Sequence, residues 1–243
     1  MKKFVSKLAA ALLSVALGLP MSAYAAAILT NTANNTGYSL FGQASNMRLA
    51  LEGAHTLSST PLLNNPAQLS GYDALWINDQ FSAMDAGQMA AITGFISAGN
   101  KAVFITDNDG WSAWNNSIEN MLSANITDTC ASSNGAALVA NDLTAGVPTL
   151  FGSSCNSLIN ATPNAQILFA NNMAALFQVG AGEALLISSV DIVGNYLFAQ
   201  NQQFAQDIVT WLGEPLDVPE PGSLALLTLG AVGLLAARRK TKI

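Results

Sequence analysis

The stretch GYDALWINDQFSAMDAGQMAAITGFISAGNKAVFITDNDG, Gly71 to Gly110, decides the fold. Its first apolar run, Ala74 to Ile77, is short and stops at the polar pair Asn78-Asp79. A run of that length without alternation suits a strand covered on both faces. Ser82, with Asp85 three residues on, then has the look of a helix start. Met89, Ile92, Phe95 and Ile96 recur at helical spacing, and Gly99 closes the helix. KAVFIT reads as a second buried strand, and DNDGW turns from it into a further helix, Trp111 to Leu122. Strand, helix and strand with short joints form a βαβ unit, which predicts a parallel sheet with a right-handed crossover.

The pattern extends in both directions. Upstream, Ala26 to Thr30 reads as a first strand opening into the polar turn NTANNTG. Gln43 to Gly53 has helical character, and a weak strand follows near His55 to Ser58. Downstream, residues 124–163 lose periodicity and gather Ser, Asn, Gly and both cysteines, which predicts a loop-rich insertion. Strands resume in QILFA, MAALFQV and EALLISSV, the first two as a hairpin across Asn171-Asn172 and the last after the turn Gly180-Ala181-Gly182. A final helix in NQQFAQDIVTWLG sets Phe204, Ile208, Val209 and Leu212 on one face. The expectation is one α/β domain over residues 26–213, three-layered and flavodoxin-like, with a mostly parallel sheet.

Charge narrows the partners. Between Ala26 and Asp217 the only cations are Arg48 and Lys101, against 14 acidic residues, for a formal charge of −12. Such a surface repels nucleic acid and anionic lipid. Asn, Gln, Ser and Thr take the place of charges, as in LLNNP, WNNS and QNQQ. An amide-rich surface hydrogen-bonds sugars readily, and it equally just keeps a secreted protein soluble.

The ends are of another character. Lys2, Lys3 and Lys7 precede an apolar run of 12 residues, Leu8 to Leu19, and a small-residue site with Ala23 and Ala25. That is the plan of a secretory signal peptide over residues 1–25, cut by signal peptidase after Ala25. In an exported chain Cys130 and Cys155 are free to form a disulfide. Closing that loop stabilises by roughly 3 kcal/mol on chain-entropy grounds. At the other end, residues 214–221 form a linker containing Pro219, Glu220 and Pro221, which keep it extended. Residues 222–237 are uncharged, and 16 of them cover roughly 24 Å as a helix. Thinning of the bilayer and snorkelling of Arg238, Arg239 and Lys240 let that length span as a single transmembrane helix. The basic tail, residues 238–243, stays cytoplasmic and the body faces outward.

Pro219-Glu220-Pro221, the apolar run and Arg238-Arg239-Lys240 together resemble the PEP-CTERM sorting signal of Gram-negative bacteria. The resemblance implies an exosortase as partner, a transient inner-membrane anchor, and release to the cell surface or an exopolysaccharide biofilm matrix. It concerns sorting and leaves the body unassigned.

The body has its own resemblance. GYDALWIND and AGNKAVFITDNDG, followed by VGAGEALLISSVDIVGN and FAQDIVTWL, are similar to class I glutamine amidotransferase-like domains and the ending of their noncatalytic relatives. The family's nucleophilic Cys would stand on the elbow Thr106-Asp107-Asn108-Asp109-Gly110, which has none. The one imidazole, His55, lies early in the chain. Glutaminase chemistry is therefore not expected. No P-loop or dinucleotide fingerprint appears, so no cofactor is expected. Two Cys and one His cannot build a four-ligand zinc site, and no metal is assigned.

Asp79, Asp107, Asp109 and Asp191 all follow strands, so a parallel sheet carries them toward one edge. There they either bind a ligand or divalent ion or act as an acid/base pair, or they cap turns and helices. Trp111 and Trp114, three apart, either offer a platform for sugar rings or pack inward. A noncatalytic binding or structural domain, with extracellular polysaccharide as candidate ligand, is the leading expectation. A metal-assisted hydrolase using Asp79, Asp107 and Asp109 is the alternative.

Overall fold

The computed structural model describes residues 25–32, 37–78, 81–131, 134–152, 155–194 and 199–215. Ala23, Asp79 and the sorting tail with its expected transmembrane helix lie outside them. Among the described residues no helix is long and apolar enough to cross a membrane.

In chain order the elements are β1 (Ala27–Asn31), α1 (Ser45–Ala54), β2 (Thr56–Thr60), α2 (Pro66–Leu69), β3 (Ala74–Ile77), α3 (Ala86–Ser97), β4 (Lys101–Ile105) and α4 (Ser112–Leu122). There follow β5 (Asn125–Ala131), β6 (Asn134–Ala136), β7 (Thr149–Phe151), β8 (Asn156–Asn160), β9 (Ala165–Ile167), β10 (Ala174–Val179), β11 (Gly182–Ile187) and α5 (Ala199–Gly213). Seven strands form the main sheet in the order β2-β1-β3-β4-β11-β10-β9. Neighbours from β2 through β11 are parallel, and β10 alone runs against the rest. The five parallel strands, counted along the chain, stand in the flavodoxin-like order 2-1-3-4-5.

Why the sheet is parallel follows from its centre. Every residue of β3 and of β4 is buried. Side chains alternate between the two faces, so both faces need a cover. On one face Ile28, Trp76, Val103, Ile105 and Leu185 pack with Met47 and Leu51 of α1 and with Phe204, Ile208 and Leu212 of α5. On the other, Leu29, Leu75, Ile77, Phe104 and Leu186 meet Ile92 and Phe95 of α3 and Trp114 and Ile118 of α4. These are the three expected layers.

Two local expectations need correction. The helix after β3 is capped at Asp85, not Ser82: Gln88 N–H donates to Asp85 Oδ1 at 2.8 Å, and Asp85 N–H donates back to Gln88 Oε1 at 3.1 Å. This reciprocal pair satisfies two of the helix's free donors. The segment 124–163, read as loop-rich, contains four strands in two antiparallel pairs, β5 with β8 and β6 with β7. Their Asn, Ser and Thr side chains blur the alternation that would have revealed them. The sulfurs of Cys130 and Cys155 are joined, linking β5 to the residue preceding β8.

The end of α3 packs tightly against the β10–β11 turn. A Cβ on Gly182 would fall 2.0 Å from Ile96 O and 2.3 Å from Asn100 O, both backbone atoms. Gly94, inside α3, has open space at the same position. We expect Gly182→Ala to destabilise the domain by about 2 kcal/mol or more. Gly94→Ala should stabilise it by about 0.5–1 kcal/mol. Urea unfolding of both variants checks the pair, and a neutral Gly182→Ala would refute the packing.

Candidate functional site

A parallel sheet ends all its strands on one side, and there the chain changes character. Thr30, Asn31, Asn78, Thr106, Asp107, Ser188 and Ser189 are polar and buried at or just beyond the ends of β1, β3, β4 and β11. The strand order reverses between β1 and β3, where open α/β sheets form their crevice. Asn78 occupies this point. Its Nδ2 donates to Thr30 Oγ1 at 3.1 Å and Asn31 O at 3.0 Å, while Oδ1 accepts from Trp76 Nε1 at 3.0 Å and Leu40 N at 3.2 Å. Its backbone N–H donates to Asn31 Oδ1 at 2.9 Å. One amide thus fastens β1, β3 and the chain before α1 together with its full bonding capacity.

The elbow after β4 is built from hydrogen bonds, not from a nucleophile. Thr106 Oγ1 lies 2.8 Å from Ser157 Oγ and donates to Ile187 O at 3.1 Å. Asp107 Oδ1 accepts from Asn108 N at 2.7 Å and Asn108 Nδ2 at 3.0 Å. Asn108 Oδ1 in turn accepts from Gly110 N at 2.9 Å and caps the 3₁₀ turn Asp109–Trp111. Asn115 Nδ2 donates to Asp107 O and to Asp128 Oδ1, both at 2.7 Å. Asp191, beyond β11, accepts from Gln43 Nε2.

Of the acids expected here, the fold brings Asp107 and Asp191 into electrostatic reach of each other. Asp109 is exposed beside them, and Asp79 lies outside the described residues. Among the described residues no three of His, Cys, Asp and Glu are grouped to hold a metal ion. His55 sits at the opposite edge of the sheet. Its Nδ1 accepts from Ala26 N at 3.2 Å, and its Nε2 is 2.7 Å from Val209 O, which ties β1 to α5.

The tryptophan pair separates. Trp114 is fully buried and its Nε1 donates to Ile105 O at 2.8 Å, so it belongs to the core and leaves the set of ligand candidates. Trp111 is only 5% exposed, but its ring is an underlay for others. Phe81 stacks on it at 4.3 Å between centroids with planes 13° apart, and Tyr38 meets it edge-on at 5.7 Å. Phe81 and Tyr38 are 64% and 40% exposed. The accessible aromatic surface is therefore Phe81 and Tyr38, resting on Trp111. Sequence reading missed both. The available signal was an aromatic ring among polar residues in the stretch after a strand, NDQFS after β3 and NTGYS after β1.

Burial pushes the Asp107 carboxyl up to about 6; Asp191 adds to the rise, and the Asn108 hydrogen bonds oppose it. The folded state thus favours the protonated acid. Stability from this group is whole below its ordinary value of 3.8 and is lost as pH rises through about 6. At neutral pH the cost is at most about 3 kcal/mol. We expect Asp107→Asn to stabilise the protein at pH 7 by about 1–3 kcal/mol and to flatten the decline in stability between about pH 4 and 6. Urea unfolding across that range checks it, and an unchanged slope would assign the decline to other groups.

Comparison with known proteins bears on both halves of the chain. No curated protein matches the sequence. The body is similar in fold to the mmIFT52 N-terminal domain, with a TM-score of 0.66 at 10% identity over 76% of this chain and 96% of that one. A ThuA-like protein from Bacteroides uniformis gives 0.52 at 11% identity, over 79% of this chain and 94% of that one. A GMP synthase protein from Thermoplasma acidophilum gives 0.51 at 11% identity, over 77% and 92%. At such identities the likeness is one of fold, and the fold is amidotransferase-like. The tail matches a family model described as PEP-CTERM protein-sorting motif, over residues 217–240. The chain thus joins an amidotransferase-like α/β body to a PEP-CTERM sorting motif, which implies export, a transient membrane anchor and an exosortase as partner.

Proposed function

We propose that this protein is an exosortase-processed cell-surface or exopolysaccharide-matrix component whose body binds a ligand without transforming it. The observation that carries the noncatalytic part is the elbow after β4. Where a glutaminase places its cysteine, this chain has Thr106, Asp107 and Asn108, all engaged in hydrogen bonds that fix the turn. The lone imidazole is held at the far edge by Ala26 and Val209. Both cysteine sulfurs are in the disulfide.

Polysaccharide is the ligand class that suits the edge. Phe81 and Tyr38 offer ring faces for the C–H surface of a sugar, and the nearby carboxylates and amides accept and donate to hydroxyls. The chain's scarcity of cations disfavours anionic ligands. The acidic alternative, a metal-assisted hydrolase, draws support from one fact: burial raises the Asp107 carboxyl to about 6, toward the range of a general acid. Binding of Ca²⁺, Mg²⁺ or Mn²⁺ with a thermal shift reversed by chelation would favour it.

Two measurements test the proposal. The intact mass of mature protein from its native host should correspond to a chain starting at Ala26 and ending near Pro219-Glu220-Pro221. Replacing those three residues by Ala should leave a chain ending at Ile243 in the membrane fraction. A full-length mature form in the unaltered protein would overturn the processing. On glycan arrays the double variant Tyr38→Ala, Phe81→Ala should lose binding by about tenfold while unfolding at an unchanged midpoint. An unchanged array profile would remove the aromatic pair as a sugar site.

A further inference from the structure

We infer that the edge of the sheet opposite the candidate site is the face the domain turns toward the bilayer, because both processed ends of the chain leave from it. This rests on the tail serving as an anchor. Leu57 pairs with Ile28, Ile28 with Ala74, Ala74 with Lys101, and Lys101 with Glu183, so these residues form one row at the starting ends of the strands. Ala26, the residue expected to follow signal-peptide removal, is buried just outside that row at the same edge, with its N–H on His55 and its carbonyl accepting from Thr56 N at 3.0 Å.

The last turn of α5 is fastened to the same row. Lys101 Nζ donates to Trp211 O and, at 2.7 Å, to Glu214 O, and it lies 4.9 Å from the Trp211 ring centroid. Trp211 Nε1 donates to Glu183 Oε2 at 3.2 Å, and His55 Nε2 reaches Val209 O. A helix C-terminus leaves carbonyls free and carries partial negative charge, and a buried ammonium answers both. One of the body's two cations is thus committed to the point where the tail departs.

The tether beyond that point is short. Eight residue steps separate Glu214 from Gly222, where the apolar run begins, at most about 29 Å fully extended. A body of this length has a radius of gyration of about 16 Å and is on the order of 40 Å across. It cannot turn over on so short a leash. While the tail is anchored, the edge holding Ala26, Lys101 and Glu183 stays toward the membrane, and Phe81, Tyr38 and Asp107 point away from it.

The two ends of α3 give the test. Ala83, just before it, and Ala98, just after it, are both exposed and lie on opposite edges of the sheet. The full chain with Ala83→Cys or Ala98→Cys is made in a host lacking the processing enzyme. Each is labelled with a maleimide carrying a polyethylene glycol chain, in intact membranes and again after detergent. The Ala98→Cys label should go on at least fivefold faster after detergent, and the Ala83→Cys label at the same rate in both. Equal ratios at the two sites, or the greater protection at Ala83→Cys, would overturn the orientation. Ala181→Cys, exposed in the β10–β11 turn at the membrane-side edge, replaces Ala98→Cys should that variant fold poorly. Chain released from the membranes by alkaline carbonate would refute the anchor and this orientation with it.

Discussion

The structure depends on the burial of β3 and β4 on both faces. A parallel strand covered on both sides has water available only at its ends. That requirement places helices above and below, and it collects polar side chains where the strands stop. It also explains why Asn78 matters. At the reversal between β1 and β3 the two crossovers diverge and leave backbone groups unpaired. An asparagine side chain, with two donors and an acceptor that takes two bonds, closes that gap. Asn78 occupies this reversal, and Phe81 and Tyr38 present exposed rings along the same edge.

The rim combines two kinds of surface. Asp107 is held in an environment that favours its neutral form, at a cost the folded state bears above a pH of about 6. Structures keep such a cost where a group has work to do or where neighbouring hydrogen bonds hold it in place, and the Asn108 bonds do the second. Beside it, Phe81 exposes most of its surface over a buried tryptophan. A ring supported from beneath loses little freedom when a ligand settles on it, which suits recognition of a flat apolar face.

What could be read in advance follows from physics. The βαβ unit was legible because a four-residue run buried on both sides and a helical period leave different marks in sequence. The elbow after β4 was legible as a position, and its lack of cysteine as chemistry. Trp111 and Trp114 could not be told apart, because both lie at the start of one helix and only the packing beneath decides which faces the sheet. Phe81 and Tyr38 stayed hidden for the opposite reason: a single aromatic ring in a turn has no periodicity. The strands of 124–163 were missed because their cores are small and their pairing is carried by backbone bonds and a disulfide, neither of which marks the sequence with apolar alternation.

The reliance on amides has a consequence for how this molecule responds to its surroundings. Between described side chains there is one ion pair, Arg48 with Glu52, and it is surface-exposed and worth little. Amide-to-backbone bonds do the joining elsewhere, as at Asn78, Asn115 and Asn201. With two cations against 14 acidic residues, the long-range Coulomb energy of the body is mostly repulsive. Dissolved salt relieves that repulsion, while a buried contact such as that of Lys101 is screened far less. A protein so made gains stability as its medium becomes saltier, and brackish or drying films would tighten this fold instead of loosening it.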